Sequence, residues 1–201
     1  MSRNLPNSPM FDPSNGYEHV AQQFLEHRKR SDIGVATLRT WSRSLPLNAA
    51  VLDLGCGAGV PISQALMDEG VAVYGVDSSP TLCAAFRDNL PGAHVACESV
   101  EESEFFGRRF EGAVAWGLMF LLPAESQLQL VDRVARILSS RGHFLFTAPT
   151  QVCSWPDALT GRTSRSVGDA AYRAALEASG LSLVAEYIDE GENHYYDAAK
   201  P

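Results

Sequence analysis

The feature that most constrains this chain is a buried-looking strand that runs straight into a turn with glycine at every second position. It reads Val51-Leu52-Asp53-Leu54-Gly55-Cys56-Gly57-Ala58-Gly59-Val60-Pro61. Glycines lack a Cβ, so a turn built from them lets backbone approach a ligand closely and adopt positive φ. Pro61 suits the first turn of a following helix, where a missing N–H costs nothing. A helix N-terminus favours negative charge. In open α/β sheets, ligands bind at this place, outside the carboxyl end of a strand.

The rest of the sequence supplies the sheet. Strands are expected at 49–54, 71–76, 93–97, 113–116 and 143–148, alternating with helices after Pro61, after the Ser79-Pro80 cap and after Pro123. In the last of these, Leu128, Val131, Ala135 and Leu138 form an apolar stripe. Arg141-Gly142 turns the chain into the fifth strand. Such alternation specifies a parallel sheet covered on both faces. Residues 149–168 read as irregular, followed by a helix to Ser179 and a Gly180 stop. Two final strands, 181–187 and 194–198, are joined by a loop too short for a crossover helix, so they must be antiparallel. The fold class is therefore α/β, with seven strands and one reversed strand in the C-terminal hairpin.

Residues 17–45 read as an N-terminal helical cap and 46–201 as the core of the same single domain. The first sixteen residues, rich in Pro, Asn and Ser, read as a flexible lead-in. They carry no apolar h-region, and no apolar run approaches the roughly 20 residues that span a bilayer. Cys56, Cys83, Cys97 and Cys153 lie far apart with no C-x-x-C pair, which fits free thiols in a reducing cytoplasm and no metal site. Sixteen basic against twenty-four acidic residues give a net charge of −8. That field disfavours nucleic acid and anionic membrane as partners.

The turn's chemistry narrows the ligand. A dinucleotide fingerprint needs glycine where Val60 stands, and a phosphate-binding P-loop needs G-K-S/T, which is absent. Instead Asp53 precedes the glycines. Its carboxylate repels a pyrophosphate and attracts an ammonium. Asp77, at the end of Val73-Tyr74-Gly75-Val76-Asp77, stands where a carboxylate accepts both hydroxyls of a ribose. Ammonium plus ribose without phosphate contacts points to a nucleoside bearing an amino acid.

On these residues the chain resembles the class I S-adenosylmethionine (SAM)-dependent methyltransferases. Val51–Pro61 is similar to their motif I and 73–80 to the motif that follows. Residues 110–122 are similar to their fourth-strand motif, and Arg136-Ile137-Leu138 with 142–146 to the next helix and strand. Residues 170–199 follow more loosely. Two departures, Ser140-Arg141-Gly142 for Pro-Gly-Gly and Glu111 for Asp, lie away from the chemistry. The resemblance implies a Rossmann-like small bacterial-type enzyme that uses SAM and releases S-adenosylhomocysteine (SAH). It implies that Asp53, Gly55, Cys56, Gly57 and Gly59 surround the methionine part. Asp77 would hold the ribose, Ser78 and Glu98 would stand at the adenine, and Trp116 and Gly117 would line the methionyl side.

For the acceptor the sequence offers three covering segments. Tyr17, in the N-terminal segment, is a catalytic candidate, as is His194 in the last hairpin. Trp155 after the fifth strand, Phe120 after the fourth, and Tyr196 beside His194 are substrate-binding candidates. The apolar run Phe120-Leu121-Leu122 favours an apolar or aromatic small molecule, and with no N-P-P-Y or D-P-P-Y run the amide or base nitrogen chemistry that goes with that motif is not indicated. The expected protein is a cytoplasmic small-molecule methyltransferase, monomer or homodimer. A non-catalytic SAM- or SAH-binding module, or another SAM-using transferase, is the alternative.

Overall fold

The computed structural model describes residues 12–28 and 31–201. Most of the proposed lead-in, residues 1–11, lies outside the described residues. Residues 12–20 form successive turns that lead into α1 (Ala21–Arg28), and α2 (Val35–Ser42) follows. The core then runs β1 (Ala50–Leu54), α3 (Ile62–Asp68), β2 (Ala72–Asp77), α4 (Pro80–Asn89), β3 (His94–Cys97) and β4 (Phe110–Ala115). It continues through α5 (Ala124–Ile137), β5 (Leu138–Thr147), β6 (Val152–Pro156), β7 (Thr163–Val167), α6 (Asp169–Ala178), β8 (Ser182–Ile188) and β9 (His194–Ala199).

Seven strands make one sheet in the order β3-β2-β1-β4-β5-β9-β8. All neighbours are parallel except β9, which runs antiparallel to both β5 and β8. This is the Rossmann-like sheet with one reversed strand expected from the sequence. The two sides of the sheet carry separate cores. On one, Leu52 and Leu54 meet Val131 and Val134 of α5 and Tyr172 and Leu176 of α6. On the other, Val51 and Val73 meet Leu38 and Trp41 of α2, Leu66 of α3 and Phe86 of α4. Period-two alternation along β1 explains the split: Val51 and Leu52 face opposite ways. It also puts Asp53 on the α3 side, where Ser63 waits. Among the described residues no helix is long and apolar enough to cross a membrane.

Several local expectations shift. Ser79 caps α4 as read, accepting a hydrogen bond from Leu82 N at 3.2 Å, with Pro80 at the first helical position. Pro61 stands one residue earlier than expected, at the cap before α3. The buried stripe of α5 is Gln127, Leu130, Val131, Val134 and Ala135, so Leu128 sits at its edge. The Arg141-Gly142 turn survives as a bulge inside β5. Arg141 has φ 62°, and the pairing jumps from Phe110↔Leu138 to Gly112↔His143.

The segment read as irregular, 149–168, is instead a β-hairpin. Val152–Pro156 pairs antiparallel with Thr163–Val167 as a separate two-stranded sheet. Its sequence hides it because the first strand, VCSWP, is largely exposed and the second, TSRSV, buries serines rather than apolar side chains, so no apolar alternation or run marks them. Gln127, buried in α5, fixes the hairpin to the domain: its Nε2 donates to Arg165 O at 3.0 Å and to Leu122 O at 2.9 Å.

Residues 12–16 also differ from a loose lead-in. Asp12 gathers them into a turn, accepting from Ser14 N at 3.0 Å, Ser14 Oγ at 2.6 Å and Gly16 N at 3.0 Å. Asp12 is then tied to the hairpin through Arg162, 2.9 Å away. The composition that reads as disorder is here the composition of a side-chain-capped turn.

Candidate functional site

The carboxyl ends of β1, β2 and β4 open into a cavity of about 270 Å³, at the lower edge of the roughly 300–1,000 Å³ typical of small-molecule sites. The floor is the glycine-rich turn after β1. Gly55 N and Cys56 N both donate to Val76 O, at 2.8 and 3.2 Å, which seats the turn on the end of β2. Asp77 locks it from the other side: its Oδ2 accepts from Gly57 N and its Oδ1 from Ser79 N, both at 2.8 Å. The turn and the α4 cap are thus held by one carboxylate. Each carboxylate oxygen offers about two acceptor sites, so one on each oxygen stays free toward the cavity.

Asp53 is the other acid. It is only 2% exposed and accepts a 2.5 Å hydrogen bond from Ser63 Oγ. Burial, with the neighbouring charge of Asp77, pushes its carboxyl up to about 7, against the pull of the Ser63 hydrogen bond and of Arg28. A carboxylate so placed lacks a close counter-ion. Arg28, from α1, supplies the cavity's cation. Its guanidinium carbon stands 4.1 Å from the centre of the Trp116 ring, a cation–π contact. Trp116 in turn donates from Nε1 to Tyr195 OH at 2.6 Å, and Tyr195 OH donates to Asp189 Oδ2 at 2.7 Å. Burial pulls the Arg28 guanidinium down from its ordinary value, opposed by Asp53.

The roof is the N-terminal segment. Pro13, Ser14, Asn15, Tyr17 and Phe24 all border the cavity. Tyr17 OH donates to Asp157 Oδ2 at 3.1 Å, in the hairpin loop between β6 and β7. Ser78 Oγ donates to Pro13 O at 3.0 Å. Glu18 accepts from Ser79 Oγ and Thr81 Oγ1 at the start of α4. The segment is therefore strapped to the sheet's edge at one side and to the hairpin at the other.

Of the residues singled out in the sequence, Asp53, Gly55, Cys56, Gly57, Asp77 and Ser78 border the cavity. Trp116, Gly117, Phe120 and Tyr17 join them. Gly59 lies deeper: a Cβ there would stand 2.5 Å from Leu90 Cδ1, so it serves the packing of the turn on α4. Glu98 is exposed and does not border the cavity; Ser99, Val100 and Glu101 do. Trp155 reaches it only through Phe120, ring centres 5.5 Å apart. His194 and Tyr196 are not brought to it. Tyr196 is fully buried between Phe146 and Tyr172, and His194 Nε2 lies 3.2 Å from Glu186. These two share one strand face, as expected, and it is the α6 face; their neighbour Tyr195 faces the other way and bonds Trp116, which borders the cavity. Sequence reading did not assign Phe24 or Asp157 and put Tyr195 on the strand face away from the site; Arg28 and Asn193 stood in two of the covering segments, on the acceptor side rather than as cofactor ligands. Only strand alternation, read with the opposite polarity, held a signal for Tyr195. Asp157 lay in the unrecognised hairpin.

Fold and site together define an α/β domain whose cavity opens at the carboxyl ends of its central parallel strands. Residues 51–142 match the family described as "Methyltransferase domain". Among solved structures, magnesium protoporphyrin IX methyltransferase from Synechocystis PCC 6803, with bound SAM, is similar with a TM-score of 0.66 at 16% identity, covering 100% of this chain and 87% of that one. A TehB-like SAM-dependent methyltransferase from Corynebacterium glutamicum gives 0.68 at 22% identity, covering 91% and 96%. The 1,6-didemethyltoxoflavin-N1-methyltransferase of Burkholderia thailandensis gives 0.67 at 20%, covering 96% and 92%. These likenesses carry the fold. No curated protein sequence matches significantly. The chain thus carries a segment similar to methyltransferase domains and shares its fold with SAM-dependent methyltransferases.

The residues present fit that cofactor. A Cβ on Gly55 would stand 3.0 Å from Leu118, and one on Gly57, at φ 54°, 3.1 Å from Phe24. Leu118 and Phe24 both border the cavity, so side chains at these glycines would occupy ligand space. The under-compensated Asp53 matches an ammonium.

Proposed function

We propose that this protein transfers the methyl group of SAM to a small-molecule acceptor within the roofed cavity. The observation that carries this reading is the placement of Asp53, Asp77 and Arg28 around one glycine-floored, largely apolar space. In this reading Asp53 receives the cofactor's ammonium, Arg28 its carboxylate, and the free acceptor sites of Asp77 the ribose hydroxyls. Ser78, Ser99 and Val100 border the adenine. Trp116 holds Arg28 in place and is itself held by Tyr195.

SAM supplies a methyl already activated by its sulfonium, so the protein's task is placement and exclusion of water. The strap of residues 12–18 excludes water from above. Leu118, Phe120, Leu121 and Leu122 give the acceptor an apolar wall. Tyr17 is a donor rather than a base here: burial and Asp157 push its phenol up, so it keeps its proton. The four unbridged cysteines suit a reducing compartment such as the cytoplasm.

The test is incubation with methyl-labelled SAM and a fractionated metabolite extract, followed by mass analysis of labelled products. Label in a small product supports the reading. SAH binding without turnover across all fractions would point to a sensor module instead.

A further inference from the structure

With Asp53, Asp77 and Arg28 assigned to the cofactor, the cavity lining still holds Glu101 and Asp157. Asp157 is built into its place. Its Oδ1 accepts from Leu159 N at 3.1 Å, Thr160 N at 2.8 Å and Thr160 Oγ1 at 3.0 Å. Its Oδ2 accepts from Tyr17 OH at 3.1 Å. Four donors fix the direction of this carboxylate, and no ion pair reaches it among the described residues. It stands in the hairpin loop, across the cavity rim from the turn after β1, and it shares the lining with Phe120, Leu121 and Leu122.

Charge makes the arrangement selective. The described lining sets four carboxylates, Asp53, Asp77, Glu101 and Asp157, against the single guanidinium of Arg28. Bound SAM, with its ammonium, sulfonium and carboxylate, adds one net positive charge, so an excess of negative charge stays. In a site shielded from water, such an excess discriminates between acceptors of opposite sign far more than it would in solution. A carboxylic acid is repelled. A neutral alcohol gains nothing from it.

We infer that the methyl acceptor is an amine on an apolar body, its nitrogen held by Asp157 and its body against the Phe120–Leu122 wall. The inference rests on the SAM reading above. The acceptor arrives as an ammonium and gives one N–H proton to Asp157 Oδ2, from which it passes to water. The freed nitrogen lone pair forms the N–C bond to the methyl carbon. The S–C bond breaks, and its electron pair returns to sulfur. The positive charge of the sulfonium ends on the methylated nitrogen, so charge balances. Tyr17 acts here as a positioning residue through Asp157.

The test is calorimetric titration of the SAH-loaded protein with phenethylamine, tryptamine and benzylamine, each beside its alcohol and carboxylic acid counterparts. At least one amine is expected to bind about tenfold more tightly than its alcohol, with the acid weakest. Asp157→Asn keeps an Oδ1 acceptor for the loop, so it should leave SAH affinity and circular dichroism unchanged while erasing that preference. If no amine exceeds its alcohol, or the preference survives in Asp157→Asn, the amine inference is overturned while the cofactor reading stands. If SAH itself fails to bind the wild type, both fall. Should the variant not fold, the wild-type panel alone decides.

Discussion

Arg28 stands over the Trp116 ring, its guanidinium carbon 4.1 Å from the ring centre, and the indole N–H is spent on Tyr195. A helix outside the sheet thereby delivers a fixed cation to the cavity. A charge-assisted contact of this kind contributes about 1.5–3 kcal/mol. Arg28→Ala should weaken SAH binding by that amount in calorimetry. Tyr195→Phe removes the acceptor that holds the indole and the donor to Asp189 but leaves Arg28 in place, so a smaller loss is expected. Equal affinity for wild type and Arg28→Ala would remove Arg28 from the site.

Asp53 makes ligand binding pH-dependent. Its carboxyl is raised to about 7 in the free protein, whereas an ammonium partner needs it ionised. SAM affinity should therefore rise as pH climbs through about 7, then decline once the cofactor's α-amino group, with an ordinary value of about 7.7–8.0, deprotonates. Below pH 7 binding should release protons, seen as a buffer-dependent enthalpy that Asp53→Asn abolishes.

The same residue has a stability signature of opposite sense to an ordinary carboxylate. The folded state keeps the proton up to about pH 7, while the unfolded chain loses it near 3.9. Its contribution to stability falls as pH rises across that window and is constant above it. Relative to wild type, the melting temperature of Asp53→Asn should rise between pH 4 and pH 7.

Asp77 carries two duties, and its replacement should show both. Asp77→Ala leaves Gly57 N and Ser79 N without their acceptor and removes the ribose partner. A loss of about 1–3 kcal/mol in SAM affinity is expected, together with a lower melting temperature. A variant that binds normally would contradict the ribose assignment.

The hairpin that bears Asp157 hangs on Gln127. This side chain is fully buried, donates to two carbonyls and accepts from Tyr172 OH at 2.5 Å. Gln127→Leu leaves the Leu122 and Arg165 carbonyls and the Tyr172 hydroxyl without this partner, so a cost of about 2–4 kcal/mol is expected in urea unfolding.

The sheet was legible because its strands are apolar runs punctuated by Gly, Pro and Ser caps. Asp53, the glycines and Asp77 were legible because their spacing is local: twenty-four residues of one β-α-β unit. What stayed hidden was long-range or polar. In the β6–β7 hairpin the first strand is exposed and the second buries only serines, so the ribbon has no apolar period to read. Arg28 reaches the cavity only because α1 folds back over the sheet, a relation no window of sequence contains. Strand alternation paired His194 with Tyr196 correctly yet cannot say which face meets the ligand. The turn at 12–16 was read by composition, although Asp12 spaced two and four residues before Ser14 and Gly16 carried the capping signal.

The central claim is that the turn after β1 holds an S-adenosyl ligand through close backbone approach. The most direct measurement is a calorimetric titration of SAH into the wild type and into Gly57→Val, with circular dichroism on both. The account predicts saturable one-to-one binding to the wild type and none to a folded Gly57→Val, whose side chain would meet Phe24 across the ligand's path. Absence of binding to the wild type, or undiminished binding to the folded variant, would contradict it.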